Sequence, residues 1–312
     1  MQIGGGEHTY KWIDNWVTLP DTELGRKDKA HHGIVITAAG HIMVFHEGGP
    51  ALLAYDADGV LQGEWESELT NAHGMTLVQE NGAEYIWMAD NKSGQVVKSS
   101  LEGKTVMSLE RPDLPVYRDG TYAPTWVAVN EERHGGNGDV WVTDGYGESY
   151  IHRYDRAGRY IATISGEEGA AGRFAQPHGI WLGNRPSGRE LYISDRKNNR
   201  VQVYDTEGNF KRVFGSDFLN DTSPSGFFSL GEQMLVVELR ARITVIGGDD
   251  GLVRYLGDNS GVTKFDNWPD VTRDLIEAGR FNSPHSAAAD SEGNLYVSEF
   301  ITGGRITKLV KA

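Results

Sequence analysis

The chain has no cysteine among its 312 residues, which excludes disulfides, thiolate metal sites and cysteine nucleophiles together. It is also short of positive charge: 30 Lys and Arg stand against 44 Asp and Glu, for a net charge of −14. Surfaces that bind nucleic acid or anionic membranes need clustered cations, so neither kind of partner is expected. No apolar run approaches the ~18 residues of a membrane-crossing helix. The residues from Met1 to Glu7 lack a basic stretch leading into an apolar one, so the chain is expected to be cytoplasmic. Proline is sparse at 10, and no stretch holds a capped 3.6-residue period except Trp268 to Ala278. Glycine, by contrast, is abundant: 40 residues, about 13%, against a usual ~7%.

The glycines punctuate a repeat. The clearest copy runs Gly172-Arg173-Phe174-Ala175-Gln176-Pro177-His178-Gly179-Ile180. It continues through Leu191-Tyr192-Ile193-Ser194-Asp195-Arg196 to Asn198-Asn199-Arg200-Val201-Gln202-Val203-Tyr204. Related units start near residues 32, 73, 125, 178, 225 and 285. Each reads as short β-branched or aromatic runs separated by Gly/Asn/Asp turns. Six such units predict an all-β fold, a six-bladed β-propeller with four strands per blade, and one domain over residues 1–312. The sixth unit ends after three strands, and residues 10–17 are expected to supply its outer strand and close the ring, leaving no exposed sheet edge. This pattern resembles NHL repeats over residues 30–310.

The slot that opens each unit holds His32, His73, Thr125, His178, Ser225 and His285. His73, His178 and His285 fall in alternate units, 105 and 107 residues apart. Alternate blades of a six-fold ring are about 120° apart, so three imidazoles would converge on the axis. Three neutral His nitrogens with an open position form the ligand set of a catalytic zinc-type site. Zinc is the first expectation, with Mn, Fe, Co or Ni as other occupants. The plainer alternative is that repeats reuse a His-Gly strand start. A second set of equivalent positions holds His46, Asp90, Asp144, Asp195, Glu238 and Glu299. Such groups orient ligands or serve acid–base chemistry, whereas an Asp at a turn ordinarily bonds backbone N–H groups. His32, His46, Asp144, Asp195 and Glu299 are the candidate substrate-side residues.

Together with Thr143-Asp144-Gly145-Tyr146 and Ser194-Asp195-Arg196, these histidines resemble the peptidyl-α-hydroxyglycine α-amidating lyase family. The resemblance implies a zinc on His73, His178 and His285, a catalytic base at Tyr146 and a charge-stabilising arginine at Arg196. A phenol with an ordinary pKa near 10 serves as a base only in a positive local field. The family's second arginine, which holds a substrate carboxylate near the first blade, has no assigned counterpart in residues 24–32. Ser286 stands where the family places an Asp for calcium, which counts against a second ion. The chain is therefore expected to be a metal-dependent lyase acting on the C–O or C–N bond of a small hydroxylated substrate, peptidylglycine or carbohydrate-like. A hydrolase using the same site, in which the metal activates water, is an alternative. The competing class is a non-catalytic NHL propeller that binds a protein partner.

Overall fold

The computed structural model describes residues 1–27, 29–30, 33–49 and 52–312. Its regular elements are β-strands and 3₁₀ turns, and no α-helix occurs among the described residues. Accordingly, no helix there is long and apolar enough to cross a membrane. Five four-stranded antiparallel sheets and one five-stranded sheet form the blades of a six-bladed β-propeller.

The chain falls into two compact units. The first comprises Met1–Glu66 with Asp221–Ala312, and the second Ser67–Asn220. The second unit holds three blades. Blade two is Ala72–Glu80, Ala83–Asp90, Gln95–Ser99 and Thr105–Leu109. Blade three is Trp126–Val129, Val140–Asp144, Tyr150–Tyr154 and Tyr160–Ile164. Blade four is Pro177–Arg185, Gly188–Asp195, Arg200–Tyr204 and Phe210–Phe214. Val78 and Trp87 of blade two pack with Val127 and Val142 of blade three. Trp126 and Trp141 pack in turn with Ile180, Leu191 and Tyr204 of blade four. These strands are buried on both faces, so they read as near-continuous apolar runs rather than alternating ones. Each large side chain removed from water this way contributes about 1.5–3 kcal/mol.

The first unit holds blades one, five and six. Blade one is Ile34–Ile36, Ile42–Phe45, Leu52–Tyr55 and Leu61–Trp65. Blade five is Pro224–Leu230, Gln233–Glu238, Arg242–Ile246 and Leu252–Leu256. Blade six joins Pro284–Ala289, Leu295–Glu299 and Arg305–Lys311 to His8–Ile13, with Gln2–Gly5 as a fifth strand. The expected closing strand is therefore present but shifted from residues 10–17 to His8–Ile13. Asn15 turns the chain with a left-handed φ of 43° and ends the strand early. The anticipated helix from Trp268 to Ala278 is absent. Within that span the chain forms one short 3₁₀ turn, Arg273–Leu275, and another, Ser260–Lys264, precedes it. Val262 of the earlier turn and Val271 bury their side chains in a small cluster with Ala241.

One buried ion pair ties blade six together. Arg305 donates through Nη1 to Glu299 Oε2 at 2.8 Å and through Nε to Asp14 Oδ1 at 2.8 Å. Asp14 immediately follows the N-terminal strand, so the pair pins that strand to the C-terminal one. Removing one partner of a fully buried pair strands the other charge. Arg305→Ala is expected to lose about 3–5 kcal/mol of stability in chemical denaturation. Breaking the exposed Arg26–Asp21 pair is expected to cost under about 0.5 kcal/mol.

Candidate active site

The histidine slot is built by a β-bulge and a carboxylate. In blades two, four, five and six, the residue before the slot pairs across the ladder with the acidic end of the second strand. These pairs are Ala72 with Asp90, Pro177 with Asp195, Pro224 with Glu238 and Pro284 with Glu299. The register then shifts at once, which places His73, His178, Ser225 and His285 in the bulge. A bulge re-aims the side chain it carries.

The carboxylates hold the chain that leads into the slot. Asp90 Oδ2 accepts from the Thr70 and Asn71 amides, both at 2.8 Å. Asp195 Oδ1 accepts from Ala175 N at 2.8 Å, and Asp144 Oδ1 from Ala123 N at 2.7 Å. Glu299 Oε1 accepts from Asn282 N at 2.6 Å and Ser283 N at 3.1 Å. Asp144, Asp195 and Glu299 are wholly buried, so their geometry is that of positioning groups rather than of groups facing a substrate.

Four side chains of the second unit meet at one point. The Tyr146 hydroxyl lies 3.2 Å from His73 Nε2 and 3.1 Å from His178 Nε2. Arg196 Nη1 donates to the same oxygen at 3.1 Å. The His73 and His178 rings stand 4.6 Å apart, nearly edge to face. His73 Nδ1 lies 3.2 Å from the Thr125 carbonyl. A carbonyl only accepts, so Nδ1 carries the proton and Nε2 keeps its lone pair turned toward Tyr146. The hydroxyls of Thr125 and Thr143 donate to the His178 carbonyl at 2.9 and 3.0 Å, fixing that strand start.

Tyr146 reaches this point because glycines flank it. A Cβ on Gly145 would stand 2.1 Å from the Pro177 carbonyl, and one on Gly147 2.1 Å from Asp144 Oδ1. Tyr146 remains 36% exposed, open to an incoming molecule, while His73, His178 and Arg196 are buried.

Behind Asp144 lies a buried relay with no counterpart in the repeat. Tyr117 OH donates to Asp144 Oδ2 at 2.7 Å and lies 2.6 Å from His152 Nε2. His152 Nδ1 lies 2.8 Å from Thr163 Oγ1, which in turn meets the exposed Tyr160 hydroxyl at 2.8 Å. Burial pushes the His152 imidazole down to about 3. Burial also raises the Asp144 carboxyl, against the opposing bonds from Ala123, Tyr117 and Glu148. Sequence reasoning missed Tyr117 because it sits between blades, in a segment that the repeat does not predict.

His285 occupies the same bulge position in blade six, buried beside Phe300. His46 replaces the carboxylate in blade one. It is buried against Gly25 and Gly48, and desolvation lowers its pKa while Glu47 opposes the shift. His32 lies outside the described residues.

No family model matches the chain. Peptidyl-α-hydroxyglycine α-amidating lyase 1 of Drosophila melanogaster is 28% identical over 275 residues, covering 81% of this chain and 47% of its own length. Human NHL repeat-containing protein 3 is 25% identical over 247 residues, covering 74% of the chain and 67% of its own length. The chain thus spans about half the length of the fruit-fly relative. Among solved structures, a streptogramin B lyase aligns with a TM-score of 0.63 at 18% identity, covering 96% of this chain and 97% of that one. That likeness shows the propeller fold.

Two outcomes follow from this geometry. Gly145→Ala is expected to displace the Tyr146 turn and cost about 1–3 kcal/mol in denaturant unfolding. Gly261→Ala, where a Cβ meets open space, is expected to be near neutral. The depressed His152 pKa means that the unfolded chain binds a proton which the folded one refuses between pH 6.5 and about 3. Its contribution to stability therefore falls as pH falls through that window, by up to about 1.4 kcal/mol per pH unit. His152→Gln is expected to flatten the acid side of the stability profile by that slope.

Proposed function

We propose that the chain is a metal-dependent lyase that breaks the C–N bond of a carbinolamine, with an N-acyl-α-hydroxyglycine as its substrate class. His73, His178 and His285 are the proposed ligands of one divalent transition metal, zinc first. The observation that carries the reading is the Tyr146 hydroxyl held between two imidazole Nε2 atoms and Arg196. The amidating-lyase activity for which the fruit-fly relative is named supports the same substrate class.

The residues fit such a metal. Imidazole nitrogens suit zinc and its neighbours, and the His73 Nδ1–H held by a backbone carbonyl is the outer contact that a metal-binding histidine uses. His285 shares the bulged slot of the other two. When bound, a metal of this kind supplies Lewis acidity that eases ionisation of a hydroxyl brought to it.

The protein's own groups supply the rest. Arg196 donates a charge-assisted bond to the Tyr146 oxygen and fixes its position. Tyr146 reacts as the phenolate, its own proton having passed to solvent, and accepts the proton of the carbinol O–H. The freed electron pair forms the C=O bond, the C–N bond breaks, and its electrons pass to nitrogen. Nitrogen takes the proton back from Tyr146. The products are a carboxamide and an aldehyde acid, with no co-reactant consumed. Asp144 and Asp195 hold the loops that carry Tyr146 and His178.

Protein purified without chelator or affinity tag is expected to contain about one equivalent of transition metal by elemental analysis. The His73→Ala/His178→Ala/His285→Ala variant is expected to lose it while staying folded by circular dichroism. Tyr146→Phe is expected to keep the metal and lower kcat on N-benzoyl-α-hydroxyglycine by roughly 10²-fold or more. Metal-free protein even after reconstitution, or full turnover by Tyr146→Phe, overturns the reading.

A further inference from the structure

In three blades, the acid that ends the second strand is neutralised by the arginine facing it across the ladder. Asp195 faces Arg200, Glu238 faces Arg242 and Glu299 faces Arg305, and each pair is bonded. At the matching register of blade three, Asp144 faces Tyr150, whose hydroxyl takes a bond from Arg173 at 3.2 Å. Asp144 is wholly buried all the same. Its donors are the Ala123 and Glu148 amides and the Tyr117 hydroxyl, each at 2.7 Å. A neutral phenol from the segment between blades two and three thus stands where its counterparts have a guanidinium.

The bonds of Asp144 enclose Tyr146. Oδ2 reaches across the turn to the Glu148 amide, and the Asp144 carbonyl accepts from Ser149 N at 3.1 Å. Oδ1 holds Ala123 N, and the Ala123 carbonyl accepts from Tyr146 N at 3.2 Å. One carboxylate therefore fixes both the turn that carries the phenol and the segment to which the Tyr146 amide is bonded. Two donors, Glu148 N and Tyr117 OH, set the place of Oδ2. With one of them removed, the carboxylate turns more freely about its broad terminal torsion.

Tyr117 is held in its turn. It lies buried in the 3₁₀ turn Pro115–Arg118, with its ring edge-on to Tyr122. The donors behind it run one way. Asp144 accepts the Tyr117 proton, so the Tyr117 oxygen accepts from His152 Nε2 at 2.6 Å. His152 Nδ1 then accepts from Thr163 Oγ1, and Thr163 from the Tyr160 hydroxyl. This chain needs a neutral imidazole, the form that burial favours. Bonds aligned head to tail polarise and strengthen one another.

We propose that Tyr117 is a positioning residue for Tyr146, acting through Asp144, with His152 orienting the Tyr117 hydroxyl. Its influence on the reaction lies in where it puts the phenol of Tyr146. This deepens the lyase reading and rests on it for turnover, while the clamp on the Tyr146 turn is measured without turnover.

Tyr117→Phe keeps the ring and deletes the donor. In metal-loaded protein it is expected to lower kcat on N-benzoyl-α-hydroxyglycine about tenfold, with KM moving less than about twofold and metal content unchanged. That loss is expected to vanish in a Tyr146→Phe background, where no hydroxyl is left to place. A general structural defect would lower both backgrounds alike. By mass spectrometry, hydrogen exchange is expected to quicken about fivefold or more over residues 144–149. Over residues 173–177, held by Asp195 through Ala175 N, it is expected to stay unchanged. Should Tyr117→Phe fold poorly by circular dichroism, Thr163→Val removes the donor to His152 instead. It is expected to lower kcat about threefold, again only where Tyr146 keeps its hydroxyl. Equal losses in the two backgrounds, unchanged kcat in the folded variant, or unchanged exchange over residues 144–149 overturns the proposal. Faster exchange there, without turnover by the wild type, upholds the clamp and removes the lyase reading instead.

Discussion

The structure depends on a carboxylate at the end of one strand gripping the backbone amides that lead into the preceding strand. Asp90, Asp144, Asp195 and Glu299 each make this bond from full burial. A buried carboxylate without donors would cost several kcal/mol, so the pairing is compulsory on both sides. The amides gain their partner and the charge gains its solvation. The loop before each slot is thereby fixed in length and direction. Only with that loop fixed does the bulge deliver its imidazole to a defined place. The backbone of the catalytic candidates is set by bonds from buried carboxylates to main-chain amides.

This explains which parts of the molecule could be read from residues alone. Blade number followed from repeat spacing, because each blade must bury its own apolar strands. The His-Gly slot was visible for the same reason. The acidic positions were visible too, but a pattern cannot say which way a carboxylate points, and here the backbone takes it. Ser225 occupies the same bulged slot although its unit lacks the histidine that marks the other bulged units. The relay of Tyr117, Asp144 and His152 was hidden because Tyr117 belongs to an inter-blade segment. The glycines around Tyr146 look like any turn until the Pro177 carbonyl is seen beside one of them.

Electrostatics divides the second unit into two regimes. On the outer strands, cations and carboxylates answer one another, and Glu190 is held down to about 2 against its burial by Arg212 and Lys211. Around Tyr146 the balance is different. Arg196 spends its donor on a phenol, and Arg173 and Lys197 have no carboxylate among the described residues. An acidic protein repels anions at long range, so a local reversal acts only within about 10 Å at ordinary salt.

The sharing of blade six by the two ends of the chain governs how the protein can be made. Tyr10 pairs with Lys311, so the His8–Ile13 strand cannot find its partner until the residues between them have been added. Throughout synthesis it remains an open ribbon edge, able to bond to any neighbouring chain. Its exposed Lys11 and the paired glycines Gly4 and Gly5 beside it make that edge less adhesive. The last contact to form is also among the longest in sequence, which places completion of this blade late and makes it slow. Nascent chains stalled short of Arg305 would lack both the strand and the cation that lock the N-terminal segment.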